Sequence, residues 1–314
     1  MFHISGFFDE ATTRLAGQLA LMDALGVRFL CPRLVDGKNI TDFTLEEFNK
    51  TLKPRLEAAG VKLSSIGSGI GKIPLEDDEA YQSQLQKLAN LAEIAEAAGC
   101  RFIRMFSFYM PPGFDEKGVF PRVIEKLQGF LKAVEGHDVT LIHENEKKIF
   151  GDTAARALRL HQALASPQFA LCHDASNYLQ VGEDPWEAYL LTRDATVYYH
   201  MKDCQDGFEV PLGQGQGRVR DILADLQARG YDGFLALEPH TAKYALLRRP
   251  LRLLPFINAK AARACREVDE SRGLSFFSNV TREDVMRWQH ENLIKMLDEI
   301  NSFPSGSNEG GHYG

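Results

Sequence analysis

A parallel (β/α)8 barrel with extra helices at its C-terminal end is the α/β fold that the sequence predicts, on three observations. Short apolar runs rich in β-branched and aromatic residues alternate with helix-like runs up to about residue 245. Eight of the apolar runs read as strands, the number that closes a parallel barrel. Several helix-like runs stop at a glycine and pass straight into an apolar run, which is the helix-to-strand half of a parallel unit.

The elements follow in order. FHISGF opens the chain as the first strand, and TTRLAGQLALMDALG is a helix ending at Gly26. VRFLCPR is the second strand, followed by the helix LEEFNKTLKPRLEAAG, which ends at Gly60. VKLSSIGSG is the third strand, and YQSQLQKLANLAEIAEAAG is a helix ending at Gly99. A glycine just past a helix supplies the left-handed residue of its C-terminal cap, so the repeated ending supports these helices. RFIRMFSFY, VTLIHENE, FALCHDASN, TVYYHMKD and GFLALEPH supply strands four to eight. An open doubly wound sheet would place a glycine-rich phosphate turn after its first strand, whereas this one runs into SGFFDEA. The glycines of LGQGQGRVRD, from Leu212, lack the lysine of a phosphate loop and read as a flexible loop at the site, leading into a helix.

Beyond the last strand, KYALLRRPLRLLPFINAKAARACREV and TREDVMRWQHENLIKMLDEI read as two long helices with no strand between them. The expectation is one domain over 1–302, with the barrel at about 1–245 and the C-terminal helices at 246–302. Those helices would cover the barrel or build a subunit contact, so a homo-oligomer stays open. Residues 303–314 have the composition of a disordered tail.

A net charge of −7 argues against a binder of nucleic-acid backbones, which needs a basic face. No run is long and apolar enough to cross a bilayer, and MFHISGFFDE lacks the basic-then-apolar plan of a signal peptide. The five cysteines are scattered without a CxxC pair, as reduced thiols of a cytoplasmic protein would be.

Four of the strands end in one acidic or imidazole side chain: Glu144, Asp174, His200 and Glu238. They recur at intervals of about 25–40 residues, the length of one strand–helix unit. Parallel barrel strands all open their C-terminal ends on one face, so these side chains would converge. Two Glu, one Asp and one His form a hard donor set suited to Mn²⁺, Mg²⁺ or Co²⁺.

With these residues placed, the chain resembles the sugar phosphate isomerase/epimerase family, the xylose-isomerase-like TIM barrels. The resemblance covers residues 1 to about 245 and is carried by HEN at 143–145, Asp174 followed by Asn177, HMKD at 200–203, LGQGQG at 212–217 and LEPH at 237–240. It implies a TIM barrel with one divalent ion on Glu144, Asp174, His200 and Glu238: Mn²⁺ first, with Mg²⁺, Co²⁺ or Zn²⁺ as alternatives. It also implies a small carbohydrate substrate, with no nucleic acid and no membrane as partner. Several ketose epimerases of the family carry a substrate-binding His where this chain has Asn177. Glu146 is a second departure, where relatives often read Glu-Asn-His.

Strand alternation sorts the neighbours. Lys202 shares the His200 face and could hold a substrate oxygen or form a rim salt bridge. His240 shares the Glu238 face as a substrate contact or proton shuttle. Glu146, further out on the Glu144 face, could meet a substrate hydroxyl or simply be solvated, and Asn177 belongs to the same substrate group. Arg104 and Arg33 could bind an anionic group or form core ion pairs. His143 and His173 point away from their neighbouring ligands.

A sugar chelating the metal through adjacent carbonyl and hydroxyl oxygens would have its neighbouring C–H acidified. The resemblance implies that one of the catalytic pair Glu144 and Glu238 removes that proton and the other returns it. Return to the opposite face gives epimerisation and return to the next carbon gives isomerisation. Loss of a β-hydroxyl would instead make the protein a lyase on a keto-sugar or inosose. An abasic-site endonuclease on the same barrel would need more His ligands and a basic groove. A non-catalytic binding subunit would hold no metal.

Overall fold

Strand β1 (Phe2–Gly6) lies parallel to the last strand, β8 (Gly233–Leu237), with Phe2 opposite Gly233 and Gly6 opposite Leu237. That pairing closes the sheet of this computed structural model, which describes residues 1–302. Between them stand β2 (Phe29–Leu30), β3 (in two segments, Lys62–Leu63 and Ile66–Ile70), β4 (Phe102–Met105), β5 (Thr140–Glu144), β6 (Phe169–Asp174) and β7 (Thr196–Met201). Seven of these segments form one parallel hydrogen-bonded sheet. β2 bridges the remaining gap, pairing in parallel with Lys62–Leu63, while the Cys31 N–H donates to the Gly6 carbonyl at 3.0 Å. The eight predicted strands are all present as a TIM barrel.

Alternation along the strands divides the core in two. Ile142, Ala170, Cys172, Tyr198 and Ala236 fill the barrel interior. The alternate residues, among them Leu141, Leu171, Tyr199 and Leu235, pack outward against the helices. The helices on the outside are α1 (Leu15–Ala24), α2 (Lys53–Ala58), α3 (Asp78–Ala98), α4 (Glu116–Ala133), α5 (Ala154–Leu164), α6 (Pro185–Thr192) and α7 (Val219–Ala228). Gly60 and Gly99 follow α2 and α3 with φ of +63° and +62°, the left-handed cap expected of them. The run into α2 is wider than an α-helix over Phe48–Leu52, just before Pro54. Pro54 has no N–H for the carbonyl four residues back, so the turn opens there.

The C-terminal part differs from the expectation of two helices. The first run breaks into α8 (Thr241–Leu253) and α9 (Ala259–Ser271), and α10 (Arg282–Ser302) follows. Pro255 forbids continuation, and Asn258 restarts the chain by accepting the Ala261 N–H at 3.0 Å. Buried Arg248 and half-buried Arg252 of α8 both bond Asp269 of α9, at 2.9 and 2.6 Å. Tyr244, Cys265, Val268 and Val285 form a second apolar core that also takes in Phe208 and Val210. Among the described residues no helix is long and apolar enough to cross a membrane, and the five cysteines are buried and unpaired. The expected disordered tail, 303–314, lies outside the described residues.

Candidate metal centre

Glu144 and Asp174 close β5 and β6, His200 sits one residue from the end of β7, and Glu238 follows β8. All four therefore stand at the C-terminal mouth of the barrel, each no more than 3% exposed. One donor atom of each lies within 4.8 Å of the other three.

Local bonds orient the three carboxylates. Asp174 starts the short helix Ala175–Gln180, and its Oδ1 accepts the Asn177 N–H at 2.9 Å. Asn145 fixes the same residue by exchanging hydrogen bonds with its backbone N–H and carbonyl, at 2.9 and 3.0 Å. The two glutamates share one guanidinium: Arg104 Nη1 donates to Glu144 Oε2 at 3.0 Å and to Glu238 Oε1 at 3.1 Å. Arg104 is itself held by the Ser68 and Gly67 carbonyls, with Phe7 and Phe106 rings beside it. Asn177 Nδ2 donates to Glu144 Oε1 at 3.1 Å.

The inward atoms test whether a cation fits. Asp174 Oδ2, His200 Nδ1 and Glu238 Oε2 are buried and have no hydrogen-bond partner. His200 Nδ1 stands 3.1 Å from both Glu144 Oε1 and Glu238 Oε2, and Lys202 Nζ stands 2.6 Å from Asp174 Oδ2. These are ion-pair distances without hydrogen-bond alignment, so the donors aim at a common point rather than at one another. A buried polar atom is normally satisfied. Three oxygen ligands and one imidazole nitrogen around one point fit a divalent ion.

The electrostatics agree. Burial alone would push Glu144 up, but the charges of His200 and Arg104 outweigh it and hold the carboxyl at about 2. Glu238 is likewise held well below the usual carboxylate range, against burial, by Lys202 and His200. Asp174 goes the other way, raised to about 6 by burial in spite of Lys202. Acids pushed apart in this way are typical of functional sites.

A cavity of about 150 Å³ opens above the centre. The five sequence-predicted substrate residues, Arg104, Glu146, Asn177, Lys202 and His240, all line it, with Glu144 and Glu238 at its base. Lys202 is 2% exposed and so lies inside rather than at a rim. Glu146 is paired with Lys72. Arg33 reaches Asp9 at 2.9 Å, Glu10 at 3.4 Å and Glu238 at 3.5 Å. His143 and His173 stay outside, one bonded to Ser107 at 2.9 Å and the other among Tyr178, Tyr189 and Tyr199.

Two carboxylates have no role assigned from the sequence: Asp203, read only as part of HMKD, and Glu209. Asp203 is buried and accepts the N–H groups of Gly213, Gly215 and Gly217 at 2.8–2.9 Å. The LGQGQG loop is therefore pinned, which corrects the expectation of a flexible one. A Cβ on Gly215 would run into the Asp203 carboxylate, so the glycines serve close approach. Glu209 enters the cavity wall from a hairpin, Asp203–Gln205 with Phe208–Val210, that follows β7. A glutamate between Phe208 and Val210 in FEV was the available signal.

A family profile described as xylose isomerase-like TIM barrel matches residues 19–267. A 2-epi-5-epi-valiolone 7-phosphate 2-epimerase of Actinoplanes sp. is 30% identical over 180 residues, 56% of this chain. That match spans 64% of the relative's length, less than two thirds. Among solved structures, the IolI protein with a bound zinc atom has a TM-score of 0.69 at 13% identity, covering 96% of this chain and all of that one. L-ribulose 3-epimerase has a TM-score of 0.68 at 15% identity, covering 96% of both chains.

Proposed function

Because the chain belongs to the xylose isomerase-like TIM barrel family, we propose that it is a divalent-metal-dependent isomerase or epimerase of a sugar or polyol-derived ketone. One observation carries the reading: four buried donors from successive strands converge on one point beneath a polar cavity, and Asp174, His200 and Glu238 each bring an atom with no hydrogen-bond partner. The match to an epimerase supports it.

We assign Glu144, Asp174, His200 and Glu238 as the residues that hold the ion, with Mn²⁺ as first choice. When bound, such an ion supplies a Lewis acid that polarises a carbonyl and acidifies the adjacent C–H. Glu144 and Glu238 come from β5 and β8, so they approach the cavity base from different sides. One takes the proton from the carbon beside the carbonyl, and the other returns it. Arg104 bonds one oxygen of each, which orients both carboxylates and leaves each a second oxygen for the centre. Lys202 stabilises the oxygen on which negative charge develops, and burial strengthens that interaction. Asn177, Glu146 and His240 hold the remaining substrate oxygens from the cavity wall.

The lyase reading has its own observation, Asn177 at a substrate position where several ketose epimerases place a His. Both readings share proton removal and part at the product. The test is to incubate metal-loaded protein in D₂O with a panel of keto-sugars and inososes. Deuterium at the carbon beside the carbonyl is expected, and the product then tells inversion from loss of water. No exchange on any member of the panel would overturn the proposal.

A further inference from the structure

We propose that Glu209 recognises a hydroxyl group of the substrate, and that the substrate is a polyol ketone with a free hydroxyl, not a phosphate or carboxylate, at that end of the cavity. The inference rests on the metal-dependent reading above and deepens it.

Phe208 and Val210 turn into the apolar core of the C-terminal helices. Strand alternation then points Glu209, between them, at the cavity that Lys202, Asn177 and Glu238 also line. The residue is 2% exposed. Its two oxygens have different surroundings. Oε1 accepts from Gln180 Nε2 and His240 Nδ1, both at 3.3 Å, and from Lys243 Nζ. Oε2 is buried and has no partner. A purely structural ion pair is complete at Oε1 and gives no reason to bury a second acceptor unmet.

An ionised carboxylate only accepts hydrogen bonds, so its partner must carry an O–H or N–H. A phosphate or carboxylate oxygen of the ligand set directly against Oε2 would be repelled by it. The nearby wall alternates donors and acceptors, with Lys72 against Glu146 and Lys147 against the Gln180 carbonyl oxygen. Hydroxyl groups both donate and accept, so a chain of them matches such a wall. The cavity of about 150 Å³ has room for a small polyol above the centre.

The test titrates metal-loaded protein with ribitol, xylitol and myo-inositol by calorimetry, then with single-deoxy analogues of the tightest binder. Glu209→Gln should weaken the tightest polyol by about 10- to 100-fold, the range for a hydrogen bond to a charged group. One deoxy analogue should bind wild type and variant alike, because it lacks the hydroxyl that Glu209 reads. Metal content and melting temperature report folding, and Glu209→Asp, which keeps the carboxylate, should recover part of the loss and decides the matter if the Gln variant misfolds. Failure of the wild-type protein to bind any of the polyols overturns the proposal, as does an unchanged affinity or an equal loss for every analogue. If Glu209 discriminates the polyols while no keto-sugar exchanges deuterium, the enolisation reading fails and this one stands. If exchange proceeds and Glu209 has no effect on recognition, this one alone fails.

Discussion

One nitrogen of Arg104 serves both Glu144 and Glu238, which ties the orientation of the two glutamates to a single side chain. Ligation and proton transfer can nonetheless be separated by substitution. Asp174→Ala removes a proposed ligand whose other oxygen only caps a short helix, so stoichiometric metal should be lost on elemental analysis. Glu144→Gln or Glu238→Gln keeps an oxygen donor but removes the base. Turnover should then fall by about 10²–10⁴-fold in variants that retain metal. Full exchange at the wild-type rate in both would exclude the two-glutamate mechanism. Glu209 carries a prediction of another kind. Burial raises its carboxyl, yet hydrogen bonds and charge from His240 and Lys243 win and hold it at about 2. An acid held below its unfolded value of about 4.3 stabilises the fold above that pH, and the stabilisation disappears as pH falls through the folded value. Thermal melts between about pH 4.3 and 2 should therefore fall more steeply for wild type than for Glu209→Gln.

The hairpin after β7, the LGQGQG loop and α10 work as one element. Gln289 accepts the Leu212 N–H at 2.9 Å, and Asn292 donates to the Leu212 carbonyl at 2.8 Å. Asp203 gathers the glycine N–H groups from the other side. Asp203→Asn would replace one acceptor oxygen with an NH₂ group facing backbone donors. Gly215→Ala would place a methyl group on the carboxylate. Either change should lower the melting temperature and speed amide exchange over residues 212–217, with slower exchange elsewhere unchanged. Exchange over 212–217 as slow as in wild type would exclude the pinning role. This element was the least legible in the sequence. Glycine spacing shows that backbone can bend there, but only the folded chain reveals that a carboxylate 10–14 residues away holds it. The break between α8 and α9 is written locally, in Pro255 and Asn258, inside a run that reads as one helix.

At the scale of the whole barrel, legibility follows the range of the interaction. Glu144, Asp174, His200 and Glu238 could be read because each ends or follows an apolar run, a pattern that lies within one strand. Arg104 and Lys202 could be nominated, but their partners lie on other strands: Arg104 meets Glu238, 134 residues away in sequence. The converging donors also couple the site to global stability. An ion bound only by the folded chain stabilises it by about 2.7 kcal/mol at a hundredfold excess over its Kd. Mn²⁺, Co²⁺, Mg²⁺ or Zn²⁺ should raise the melting temperature by several degrees, and a chelator should reverse the shift. No shift with any of the four would count against a metal centre.

Closure of the ring through β1 and β8 also sets a clock on synthesis. Phe2 cannot meet Gly233 until the chain between them has left the ribosome. At about 5–20 residues per second, the roughly 230 intervening residues take about 10–50 s to make. For that interval β1 waits with an unsatisfied strand edge, a template for pairing with other nascent chains. The barrel should therefore depend on helpers that shield such edges during translation, and a permuted gene that places β8 immediately before β1 should move the waiting edge from β1 to the side of β8 that pairs with β7.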